Sequence, residues 1–282
     1  MAEARGEQQT LGGVEAFLAR AKAFCERVGA ATVSAIAEVG LGAWLLFQVM
    51  FFIVVGRGRA QPVRIPATFE RAMEVGIRAL PIVTMMSVTV GMMLAIQGIY
   101  SLRIFGAEDQ VTIGVAFSVA REFGPLITGI LVAGRTGSSL AARIGTMRIS
   151  QEIDALQVMG IDPIRFIVAP ALIAMTVMVP LLTFWADIIM LAGAGWYVSL
   201  ELGMSMGAYI DQLRSILRPT DIMHGIWKSL LFGVEITLVG VINGANVQGG
   251  AEGVGRMTTR SVVLSISAII VTDMIFAFIT TR

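Results

Sequence analysis

Charge is scarce in this chain: Asp, Glu, Lys and Arg make up only 15% of its 282 residues, while 56% are apolar. A soluble domain carries about 25% charged residues, so too little polar surface is present to coat a globule in water. The solvent for most of the chain is therefore a bilayer. Basic and acidic residues number 21 and 20, which excludes a strongly basic protein held to nucleic acid by phosphate neutralisation. A lone cysteine, Cys25, cannot close an internal disulfide, and a lone histidine, His224, cannot supply a multi-histidine metal site. The two lysines, Lys22 and Lys228, do not follow a glycine-rich phosphate loop, so ATP hydrolysis by that route is excluded. Gly249, Gly250, Gly253 and Gly255 follow an apolar helix rather than a strand, which predicts a flexible cytoplasmic turn rather than a dinucleotide site. No removable signal peptide is evident in residues 1–29. No internal repeat is visible either, which weakens carrier folds built on repeat symmetry.

What the chain has in abundance is long apolar runs. A spanning helix takes about 20 mainly apolar residues, and suitable segments lie at 31–55, 79–104, 111–134, 163–200, 226–245 and 261–281. Arginines and a lysine flank the first on both sides: Arg20, Lys22 and Arg27 before it, then Arg57, Arg59, Arg64, Arg71 and Arg78 after it. Positive charge prefers the cytoplasm, so this segment is expected to lie in the inner leaflet, leaving five spans. The amino terminus and the connections at 143–165 and 246–260 are then cytoplasmic. The loop at 201–225 and the carboxyl terminus are external. Val14, Phe17, Leu18, Ala21, Phe24, Cys25 and Val28 form a helical stripe that suits either a membrane surface or a partner protein. Pro62 and Pro66 punctuate the linker that follows, and a second amphipathic stretch, Thr68 to Arg78, leads into the first span.

The helix from Gly114 to Met147 is the most informative. Gly129, Ala133, Gly137, Ala141 and Gly145 recur at every fourth position, with Gly134, Ser138 and Ala142 in a parallel row; such rows let helix backbones approach closely in lipid. Spacing alone leaves open whether the contact lies within one subunit or between two. Arg121 and Glu122 sit on the same helix at bilayer depth, where an ionisable pair is costly unless it meets a partner or a water-filled cavity, so both are candidate functional residues. Asp187, Glu235 and Asp273 pose the same question, and each either pairs with Arg121 or Arg135 or lines a crevice. Downstream, Ser150 as N-cap, the acidic Glu152 and Asp154, the apolar Ile153, Leu156 and Met159, and the stop at Gly160 and Pro163 predict a short separate amphipathic helix over 150–159.

These residues also carry a resemblance. Arg121-Glu122-Phe123-Gly124-Pro125-Leu126, Ala133-Gly134-Arg135, Gly145-Thr146-Met147, Glu152-Ile153-Asp154-Ala155-Leu156 and Met159-Gly160-Ile161-Asp162-Pro163 together resemble the signature of the MlaE (YrbE-like) permease family. Gln97-Gly98, Asn243-Gly244, Thr258-Thr259-Arg260 and Asp273 also look like family positions. Arg143 departs from the pattern, standing where an acidic residue is expected, and puts a salt bridge there in question.

The resemblance implies an all-α integral membrane protein: an N-terminal interfacial or elbow region (1–60), then a permease domain (61–282) of five transmembrane helices with the 150–159 segment as a cytoplasmic coupling helix. It implies the permease subunit of an ABC-type transporter, paired with a second copy in the inner membrane of a diderm bacterium. Expected partners are a cytoplasmic ATPase, which would bind the ATP and Mg, an MCE-domain protein and a small cytoplasmic accessory protein. The chain itself would hold no cofactor. The substrate would be phospholipid or a related lipid moved between inner and outer membranes, its head met by Arg121 and Glu122, with Gln97 and Tyr100 at the cavity mouth. Two other readings remain: an ion-coupled carrier or channel using Glu122, Glu235 and Asp273, and a membrane scaffold that transports nothing.

Overall fold

The computed structural model describes residues 2–54 and 64–280, and every regular element in them is helical. That follows from the composition, because a backbone without water must satisfy its N–H and C=O groups inside each segment. Six helical stretches among the described residues are long and apolar enough to cross a membrane: Cys25–Phe52, Ile65–Arg103, Glu108–Ile149, Ile164–Leu202, Pro219–Ala245 and Gly250–Thr280. The chain is an all-α integral membrane protein.

The chain divides into two compact units, Met1–Phe47 and Gln48–Arg282. The first helix, α1, runs unbroken over Ala2–Val54 and so merges the amphipathic stretch and the first apolar segment. Its length and apolarity suffice for a span, whereas its basic flanks favour the interface. The side chains of Val14, Phe17, Leu18, Ala21 and Phe24, together with Arg57, Arg59 and Pro62, lie outside the described residues; Cys25 and Val28 are exposed.

In the second unit, α2 (Ile65–Val75) opens with Pro66 in its first turn, where a missing N–H costs nothing, and passes through a 3-10 turn at Ile77–Ala79 into α3 (Leu80–Arg103). The third stretch, expected as one regular helix, is built from α4 (Val111–Ser118), α5 (Gly124–Val132) and α6 (Ser138–Ile149), separated by π-helical turns at Val119–Phe123 and Ala133–Gly137. The first π turn precedes Pro125, whose ring would clash with the carbonyl four residues back and which has no N–H to give it; widening the turn removes the conflict. A third π turn, Ile164–Val168, precedes Pro170 in the same way. At the second, Ser138 Oγ donates to the carbonyls of Gly134 (2.6 Å) and Arg135 (2.9 Å).

The remaining elements are α7 (Glu152–Val158), α8 (Ala169–Leu202), α9 (Met206–Ile216), α10 (Pro219–Ala245) and α11 (Gly250–Thr280). Two boundaries correct the sequence reading. The external loop at 201–225 contains α9, fastened by Tyr209, whose buried hydroxyl donates to the Leu191 carbonyl at 3.1 Å, and also the first turns of α10. Of the glycine cluster, Gly249 and Gly250 take positive φ (86° and 71°) at the turn, but Gly253 and Gly255 lie inside α11.

Helix α8 is the centre of the packing, and glycines set how close its neighbours come. A Cβ on Gly193 would sit 2.8 Å from the Val88 carbonyl oxygen of α3, and one on Gly233 of α10 2.8 Å from that of Met175. Such backbone approaches are the means by which helices associate where lipid is as apolar as leucine. The expected row in the long helix packs within the subunit: Gly129 faces Phe232, Gly137 faces Ile236 and Gly145 faces Val247, with Ala133 and Ala141 buried between them. Gly134, on the parallel row, has open space beside it. Alternating helix directions give this unit two ends. One carries Arg103 bonded to Glu201 (2.8 Å), α9 and the start of α10; the other carries α7 and the start of α2.

Candidate functional site

The π turn at Val119–Phe123 presents Arg121 and Glu122 to α10. These positions lie ten residues into the stretch that begins at Val111, about 15 Å from its end. Neighbouring helical residues diverge by roughly 100°, and the two side chains reach different partners.

Arg121 meets Asp221 in the first turn of α10: its Nε donates to Asp221 Oδ1 at 3.0 Å, and a second guanidinium nitrogen bonds the same oxygen. Asp221 Oδ2 accepts the Arg218 backbone N–H at 2.9 Å, so one carboxylate both caps α10 and holds the arginine. The guanidinium lies 4.9 Å from the Phe117 ring centroid, a cation–π contact. Glu122 accepts from Lys228 Nζ at 2.6 Å, and the same ammonium lies 3.0 Å from Asp273 on α11. Lys228 is 2% exposed and Asp221 3%, whereas Arg121 is 49% exposed and Glu122 42%. Each open charge is thus fixed from behind by a buried counter-charge.

Several expectations are corrected by these contacts. Asp273 pairs with Lys228, not with Arg121 or Arg135. Glu235 accepts from Thr272 on α11. Among the described residues Asp187 pairs with no cation and neither of its oxygens has a hydrogen-bond partner; it is buried against Gly124, where even a Cβ would collide with its carboxylate. Gln97 and Tyr100 lie on an exposed face of α3, and neither is among the partners of Arg121 and Glu122 that the structure brings together. Lys228 and Asp221 were missed by the sequence reasoning. The signal for Lys228 was its position inside the apolar run at 226–245, where a lysine is costly without a partner. Asp221 gave none, because it was placed in a loop.

At the opposite end, α7 departs from the expected capping. Gln151, at φ 58°, is its N-cap, while Ser150 ends α6 and donates to Thr146 O (2.9 Å) and Glu152 Oε1 (2.8 Å). Arg148 bonds Asp154 at 2.8 Å across the turn. The stop is as expected: Gly160, at φ 74°, lets the Ile161 N–H reach Leu156 O and its own N–H reach Gln157 O, both at 2.9 Å, the pairing of a Schellman motif. Leu156 is buried within the chain and Ile153 is half-buried, whereas Val158 is 88% and Met159 65% exposed. The stripe is therefore divided, one part packed on its own chain and one part open. Arg143 lines a cavity with Arg64, Arg71 and Glu70.

The chain is a multi-pass helical membrane protein with ion pairs inside its spanning segments, an arrangement that membrane permeases share. The model of the family described as permease MlaE matches residues 68–279, and the chain belongs to that family. It is 33% identical over 255 residues to a probable ABC transporter permease protein of Rickettsia prowazekii, covering 88% of this chain and 96% of the relative. It is 29% identical over 248 residues to the intermembrane phospholipid transport system permease protein MlaE of Haemophilus influenzae, covering 85% and 90%. A protein of Arabidopsis thaliana, trigalactosyldiacylglycerol 1 of the chloroplast, is 33% identical over 210 residues, 74% of this chain and 60% of its own. The chain is an ABC transporter permease, a multi-pass membrane component rather than the catalytic subunit.

Proposed function

We propose that the chain is the permease subunit of an ABC-type system that moves phospholipid, or a related lipid, between the inner and outer membranes of a diderm bacterium. The observation that carries this reading is the pair of half-exposed opposite charges, Arg121 and Glu122, each anchored by a buried partner at bilayer depth in a chain of this family. A guanidinium held at one edge by Asp221 keeps donors free for a phosphate, and the Phe117 ring braces it. Such preorganisation lowers the cost of ordering the site when a lipid head arrives.

The charge distribution supports an orientation in which α7 and the start of α2 face the cytoplasm and the carboxyl terminus faces outward, because Arg64, Arg71, Arg143, Arg148 and Arg165 gather at that end. In this orientation the exposed Val158 and Met159 of α7 offer a contact for a soluble ATPase. Its ATP-driven closure would press on α6 through the Arg148–Asp154 pair and shift the close-packed α6–α10 seam. A second copy of the chain would complete the lipid cavity, and an MCE-domain protein would receive or deliver lipid at the outer end.

Purification of the native complex with identification of its proteins and lipids tests the reading. An ATPase, an MCE protein and bound phospholipid are expected. Transport of an ion or lipid by this chain alone in sealed vesicles would overturn it in favour of a coupled carrier.

A further inference from the structure

We infer that this chain carries a second anion-binding site, remote from Arg121, at the α7 end of the bundle: a cavity between α2, α6 and the start of α8 that takes a phosphate group. The cavity has a volume of about 270 Å³ and is lined by Arg64 and Arg71 of α2 and Arg143 of α6, with Glu70 as the acidic residue on its wall. Arg71 is spent on Glu74 at 2.5 Å. Arg64 lies with its guanidinium carbon 4.8 Å from the Phe166 ring centroid, which orients the group and leaves its N–H edge free. Arg143 is exposed. Three cations against Glu70 and Glu74 leave the wall net positive.

The backbone adds to this charge. Arg64 is the N-cap of the 11-residue α2, and Pro66 and Ala67 of its first turn also line the cavity. Pro66 has no N–H and the Thr68 N–H bonds the Arg64 carbonyl at 3.0 Å, so what the start of α2 adds is the positive end of its dipole beside the cavity. Arg64 makes no side-chain cap to α2. The remaining wall, Leu140, Met147, Ile167 and Pro170, is apolar. A polar half that suits a phosphate joined to an apolar half that suits the start of an acyl chain is the chemistry of an anionic lipid, and the phosphate half alone would also accept inorganic phosphate. The site stands about 30 Å along the helical stretch from Arg121 to Arg143, at 1.5 Å per residue, so it is separate from the proposed transport site and does not depend on that reading.

Native mass spectrometry tests the site on the full chain, in whatever complex it purifies, after reconstitution in phosphatidylcholine bilayers containing phosphatidylglycerol. The wild type should retain phosphatidylglycerol in preference to phosphatidylcholine. Arg143→Gln should weaken that preference roughly tenfold, the loss of one charge-assisted contact, and Arg64→Gln with Arg143→Gln should abolish it. Arg143→Lys should keep part of it, and Arg214→Gln, in α9 at the other end, should change nothing. A parallel titration with inorganic phosphate on delipidated protein distinguishes the sources. Saturable binding there that Arg143→Gln also removes assigns the site to free phosphate. Anion retention unchanged in the double variant, with thermal stability equal to wild type, would overturn the site altogether.

Discussion

Lys228 and Glu122 are 106 positions apart in sequence, yet the lysine ammonium lies 2.6 Å from the glutamate carboxylate, with the lysine almost wholly buried and the glutamate half-open. A buried lysine is tolerated only with anions around it, and Asp273 supplies the second at 3.0 Å. The contact therefore ties the π turn of the third helical stretch to α10 and α11 at one point.

Removing that lysine should be more damaging than removing either carboxylate. Lys228→Met leaves Glu122 and Asp273 facing each other without a cation, and a loss of about 3 kcal/mol in stability is expected, the scale for breaking a buried pair. Thermal unfolding in detergent checks it. The combined Lys228→Met, Glu122→Gln, Asp273→Asn chain should recover much of the loss, and a failure to recover would show that lysine packing rather than charge matters.

Arg121 should behave differently, because it is half-exposed and Asp221 keeps its bond to the Arg218 N–H without it. Arg121→Ala should cost less than Lys228→Met, about 1–2 kcal/mol for a buried carboxylate that loses its cation but keeps a backbone donor, while lowering co-purified lipid several-fold, and Arg121→Lys should retain part of the lipid. Stability and lipid content measured on the same samples decide between a head-group contact and a structural one. Normal lipid in a stable Arg121→Ala complex would eliminate the former.

On α7, burial separates two kinds of variant. Val158→Asp with Met159→Asp changes only exposed side chains and should release the ATPase from an otherwise normally inserted permease. Leu156→Asp puts a charge into a buried position and should destabilise the permease itself by a few kcal/mol. Pull-down of the ATPase alongside a melting curve reads both. An ATPase that stays bound to the exposed-face double variant would remove α7 as the coupling element.

Gly244, on α10 facing the packed row, and Gly134, on the open row, give opposite expectations. A Cβ on Gly244 would lie 2.7 Å from Ile144 Cβ and 2.8 Å from the Ala141 carbonyl oxygen, whereas one on Gly134 meets nothing within 4 Å. Gly244→Ala should therefore destabilise the isolated subunit by about 2 kcal/mol, the scale of overpacking, and Gly134→Ala should leave it unchanged. Melting both in detergent is sufficient. Equal effects would mean that the α6–α10 approach is looser than the packing implies.

Much of the architecture was legible because it follows from local rules. Apolar length predicts the spanning helices, the residues around Gly160 predict the Schellman stop, and the fourfold spacing of Gly129 to Gly145 predicts a close helix contact. The errors have local causes too. Ser150 is a common N-cap type, but its hydroxyl is used by Thr146 O and Glu152, which leaves Gln151 to start α7. The regular helix expected through 114–147 widens into a π turn at Val119–Phe123 because Pro125 cannot follow a normal turn, and that consequence of a single proline is easily overlooked.

By itself the sequence determined that this is an all-helical membrane protein with charges inside its spans, since both follow from composition and from the need to satisfy each backbone group within its own segment. Only the tertiary structure decided which charge meets which: Arg121 with Asp221, Glu122 and Asp273 with Lys228, and Asp187 with none among the described residues. Those pairings depend on the distance and rotation between helices far apart in the chain. Those quantities are fixed by close contacts such as Gly233 on Met175 and Gly244 on Ala141, and no periodicity within a single helix encodes them.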